Sequence, residues 1–126
     1  MPEGEQLPRG YAAWRRVHIV AGCVVSLLGI AHCLLALLQF QRWDPEAVWF
    51  LGAGLGVLFV GTLNLVHIGL APCRMPTVRF VRVVNAIYGA FGVAALVAVP
   101  EPHVMVLVGA LLVQVIAGRV TLPGPA

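Results

Sequence analysis

From Ala47 to Leu70 the chain runs for 24 residues without a charged side chain. As an α-helix that run is about 36 Å long, enough to cross a bilayer with some tilt. Lipid offers a backbone no hydrogen-bond partner, so such a run must pair its own amides and carbonyls as a helix. Its start is marked by Asp44-Pro45-Glu46, an N-cap residue followed by a proline suited to the first helical position. It contains Gly52, Gly54, Gly56 and Gly61 and ends in a polar patch of Thr62, Asn64 and His67.

Three further apolar runs have comparable length, giving expected spans at 17–40, 47–70, 78–99 and 103–120. The breaks between them hold Arg42 and Trp43, then Pro72 to Pro76, then Pro100-Glu101-Pro102. The chain is 60% hydrophobic and 10% charged, against about 25% charged in a soluble domain. Too little polar surface exists to cover the apolar mass in water. The expected fold is therefore an all-α polytopic membrane protein, four transmembrane helices in an up-down-up-down bundle. A polar N-terminal segment (1–13) precedes the helical domain (14–120), and a short tail (121–126) follows it. The segment through Tyr11 reads as poorly ordered, on its prolines and glycines.

All eight basic residues are arginine. They sit at the ends of apolar runs and not along one amphipathic face, so they mark topology and headgroup contact, not nucleic acid. Arg9, Arg15, Arg16, Arg74, Arg79, Arg82 and Arg119 fall on one side of the bundle and only Arg42 on the other. That bias predicts cytoplasmic N- and C-termini.

Gly22, Ser26 and Gly29 follow steps of three or four and share one face of the first helix with His18 and Cys33. Gly52 and Gly56 form a GxxxG pair, with Gly61 further along. Small residues at such spacing let helices approach closely in lipid, so these positions, with Asn64, are the expected helix-packing set. The same glycines do not make a nucleotide loop: Val57 stands where a third glycine belongs, and no strand precedes them. Asn64, Thr62 and His67, with Asn85 and Tyr88, are expected to form an interhelical polar cluster, read as structural glue ahead of a ligand site. Gln114 is the buried polar candidate of the fourth helix.

The histidines raise a sharper question. His18 and His32 lie 14 residues apart, within about 40° of one face and roughly 21 Å apart along it. This spacing resembles that of transmembrane di-haem b cytochromes. Up-down threading puts His67 at the depth of His18 and His103 on the side of His32, so two axial pairs are conceivable. Those families place the partner pair on one helix, whereas His67 and His103 stand on two. Haem b therefore ranks behind the reading with no cofactor.

Other chemistry is poorly supplied. All five acids, Glu3, Glu5, Asp44, Glu46 and Glu101, lie outside the apolar cores. Small multidrug transporters need a glutamate within their first helix, and this chain has none there, which leaves a small transporter as a lesser alternative. Cys23, Cys33 and Cys73 make no CxxC, unlike DsbB-like and vitamin-K-epoxide-reductase-like bundles. Neither a metalloenzyme spacing nor a nucleophile with its base appears. Val20 to Cys23 resembles a lipoprotein cleavage box, but only six residues separate Cys23 from Arg16, too few for the apolar region of a signal peptide.

The run from Trp43 to Leu65, with Trp-x-Pro-x-x-x-Trp-Phe-x-x-x-Gly and then Asn64-Leu65, resembles small four-helix bacterial membrane proteins with no established activity. The resemblance implies a bacterial inner membrane and transfers no site residues. The expectation is a non-enzymatic structural or interaction protein in contact with the lipid bilayer and with a second copy or another membrane protein. The alternative is a redox or ligand-binding module using His18, His32, His67 and His103.

Overall fold

The computed structural model describes residues 10–69 and 75–121, which form four α-helices and no strand. They are α1 (Tyr11–Gln39), α2 (Pro45–Gly69), α3 (Met75–Ala98) and α4 (Pro102–Thr121). The readings made on residues 1–9, on Pro72, Cys73 and Arg74, and on the tail after Thr121 lie outside the described residues.

Helix α1 starts six residues before the expected span, so Tyr11 to Ala13 belong to it and not to an irregular leader. Hydropathy marks where a helix enters lipid, not where it begins. Alanine and arginine are good helix formers and carry α1 outward past Trp14. Gly10 precedes it with φ of 87°, a left-handed conformation open to glycine at little cost. Helix α2 begins as its sequence predicts. The Asp44 Oδ1 accepts from the Ala47 amide at 2.9 Å, capping the free N–H groups of the first turn. Pro100 stops α3, and the Glu101 carbonyl receives the first bond of α4 from the Met105 amide at 3.0 Å.

The helices form a square in which α1 packs most extensively on α2, then on α4, and α3 packs on α4. Helices α2 and α3 meet least. Val25, Val57, Val60 and Leu111 make the central core, with Tyr88 and Leu107 packed against them. The outside is apolar: Leu38, Trp49 and Val97 are each about four-fifths exposed. A surface of that kind suits hydrocarbon, and each helix is long and apolar enough to cross a membrane.

Glycines set the α1–α2 spacing. A Cβ on Gly29 would lie 2.5 Å from the Leu58 amide nitrogen and 2.7 Å from its Cα. One on Gly61 would lie 2.6 Å from the Ser26 amide nitrogen, and one on Gly54 3.0 Å from that of Cys33. Gly22 faces the Leu65 side chain. The close approach thus uses Gly22 and Gly29 on α1 against Gly54 and Gly61 on α2, each pair two turns apart. Gly52 departs from the expectation: it is exposed and a Cβ there would meet nothing within 4 Å. Gly56 opposes the Tyr88 hydroxyl on α3. Two residues of helix rotate a position by about 200°, so Gly52 faces away from the side on which Gly54 meets α1.

Candidate functional site

Up-down threading brings the start of α1, the end of α2, the first half of α3 and the end of α4 to one level. Four polar side chains meet there, one from each helix: His18, Asn64, Asn85 and Thr121 are all buried. The positions follow from the apolar faces that carry them. Asn85 continues the stripe of Val78 and Val81. Thr121 lies two turns beyond Gln114, which is also buried.

Asn64 is the hub. Its amide Nδ2 donates to the Val60 carbonyl at 2.8 Å and to the Asn85 Oδ1 at 2.7 Å. Asn85 Nδ2 donates back to the Asn64 Oδ1 at 2.9 Å. A carbonyl can only accept, so the Val60 contact fixes which end of the Asn64 amide is nitrogen. The Oδ1 therefore faces the His18 Nε2, 2.8 Å away. It follows that Nε2 carries a proton and donates. On the other side of the ring, Nδ1 lies 2.7 Å from the Thr121 Oγ1. That hydroxyl is also 2.9 Å from the Ala117 carbonyl. It has one proton for two acceptors, so in the neutral ring Nδ1 accepts it.

Parts of the expected cluster are elsewhere. Thr62 is exposed and returns its hydroxyl to the Leu58 carbonyl of its own helix, a common way for threonine to satisfy itself in an apolar setting. Tyr88 stands farther along α3, against Gly56 and edge-on to Phe91. His67, by contrast, is buried one turn from Asn64 and near enough to His18 to interact with it electrostatically. Two members of the network, His18 and Thr121, were not assigned to it from sequence. Thr121 fell outside the expected span by a single residue. Its heptad spacing from Gln114 was the signal that could have placed it.

The axial pairs expected for haem b are His18 with His67 and His32 with His103, and in each pair the two rings are near enough to interact electrostatically. Both ring nitrogens of His18 are committed to neighbouring side chains. His32 stacks on Phe50, with centroids 3.9 Å apart and planes 15° from parallel. His103 is exposed, and its Nδ1 lies 3.3 Å from the Glu101 carboxylate. Among the described residues no three His, Cys, Asp or Glu side chains gather as a metal site.

Charge is strongly sorted. The polar network shares its end of the bundle with Arg15, Arg16, Arg79, Arg82 and Arg119. Among the described residues the acids Asp44, Glu46 and Glu101 all lie at the opposite end, with Arg42.

Fold and surface together define the class: a small multi-pass membrane protein. Comparison with known proteins found no matching family model, curated protein or solved structure.

Proposed function

We infer that this chain is a non-enzymatic structural or interaction protein of the bacterial inner membrane, with both termini cytoplasmic. One observation carries the reading: the polar groups best placed for chemistry bond to each other. His18 has no free ring nitrogen, and Asn64 and Asn85 are paired amide to amide. A site built for a substrate leaves convergent polar groups open into a pocket. Here they tie four helices together and leave the outer surface for contact. That surface includes the exposed side of α2, where Trp49, Gly52, Leu55 and Phe59 offer a partner helix a smooth approach.

Two measurements test this. Protein purified in mild detergent should show no Soret band and no stoichiometric metal; a bound haem would overturn the reading. Crosslinking in native membranes should give discrete adducts, with a second copy or another membrane protein, and only monomer at native expression would count against it. The arginine distribution supports the orientation. Periplasm-confined reagents should fail to reach tags on either end.

A further inference from the structure

A groove runs along the lipid-facing surface between α1 and α4. Val20 and Val24 line it from α1, and Val106, Gly109 and Val113 from α4. Arg16 closes one end, and the volume is about 500 Å³. This lies inside the roughly 300–1,000 Å³ range of small-molecule sites. From Arg16 to Val24 the groove follows α1 for about 12 Å.

We propose that this groove holds one acyl chain of an anionic phospholipid, with the lipid phosphate on the Arg16 guanidinium. The lining is apolar except at one end, so the occupant needs a long hydrocarbon portion and a single anionic group. Arg16 has no carboxylate partner among the described residues, because the described acids, Asp44, Glu46 and Glu101, are at the other end of the bundle. A guanidinium presents a planar fork of donors that matches phosphate oxygens. Trp14, partly exposed two residues earlier, belongs at the same headgroup level. Gly109 keeps the channel open: a Cβ there would meet nothing within 4 Å, so a larger side chain would project into the space. A second copy of this chain in the same orientation would bring its own arginines to that level, with no described acid to meet Arg16. A phosphate supplies the missing charge.

The test uses the full chain with Trp43 and Trp49 replaced by Phe, so that Trp14 alone reports. It is reconstituted in phosphatidylcholine vesicles with increasing phosphatidylglycerol, either lipid carrying brominated acyl chains that quench tryptophan. Phosphatidylglycerol should quench at about one-fifth the mole fraction that phosphatidylcholine needs, the factor one arginine contributes beside an anionic lipid. Arg16→Gln should abolish the preference. Arg15→Gln should keep it, because Arg15 is outside the groove. Gly109→Leu should weaken quenching by both lipids. Equal quenching by the two lipids in the unsubstituted background would overturn the proposal. So would equal losses in Arg15→Gln and Arg16→Gln, which indicate surface charge alone. Self-association that Gly109→Leu removes would assign the groove to a second copy instead. Circular dichroism and elution volume verify folding of each variant, and phosphatidylglycerol retained in native mass spectrometry provides a readout independent of Trp14.

Discussion

Two sets of buried polar groups in this bundle have opposite fates. At the arginine-bearing end, His18, Asn64, Asn85 and Thr121 close on one another. Deeper in, Gln114 is fully buried and neither its Oε1 nor its Nε2 has a hydrogen-bond partner among the described residues; the same holds for the buried hydroxyl oxygen of half-buried Ser26 and the buried Nε2 of half-buried His32. The first set holds helices in one register, because only one rotation of each helix lets all four side chains meet. The second set costs stability where it stands, since a buried polar atom without a partner forfeits about 1–3 kcal/mol. Residue type does not separate the two sets, as both contain an amide side chain and a histidine. Convergence from several helices does.

The difference can be broken most sharply at the hub. Asn64→Leu strips partners from both His18 and Asn85. We expect a loss of about 2–6 kcal/mol, two groups at roughly 1–3 kcal/mol each. Membrane hydrogen bonds average only about 0.6 kcal/mol by double-mutant cycles, which favours the low end of that range. Reversible unfolding in mixed micelles measures the loss, and unchanged stability would remove the register argument. Gln114→Leu should have the opposite sign, stabilising the bundle by about 1–2 kcal/mol, because a close-sized apolar side chain replaces unpartnered atoms. A destabilised Gln114→Leu would mean that Gln114 has a partner, such as an interior water.

Three other substitutions sharpen the same contrast. Gly29→Ala should cost about 1–3 kcal/mol by forcing α1 away from the Leu58 backbone. Gly52→Ala should be neutral or gain up to about 1 kcal/mol of helix propensity, since nothing lies near its Cβ position. Thr62→Val should change stability by less than about 0.5 kcal/mol, the usual range for a surface substitution. Thermal denaturation in detergent ranks all three.

The four spans were legible because each is an apolar run whose charges, such as Arg79, Arg82 and Arg119, keep to its ends, and lipid leaves such a run one backbone choice. The meeting of Asn64 with Asn85 was legible only within a wider expected cluster that also held Thr62, His67 and Tyr88. What sequence could not supply was rotation. His18 was matched to His67 by depth, and the two are near enough to interact, but depth could not show that the His18 ring nitrogens meet Asn64 and Thr121. Gly52 and Gly56 stood out by spacing, while Gly54, on the far side of the helix from Gly52, makes the close approach. Thr121 was lost to a boundary drawn on hydropathy, which fades one residue before the helix does.

The thin contact between α2 and α3 gives the asparagine pair a further consequence. The molecule is built like a book: the α1–α2 and α3–α4 hairpins are its covers, and the α1–α4 packing is its spine. Asn64 and Asn85 clasp the open edge by hydrogen bonds, beside the apolar contacts of Leu63 with Val78 and Val81 and of Tyr88 at Gly56. Releasing that clasp would let the covers swing while the spine stays bound, so the bundle would loosen along one seam before it came apart.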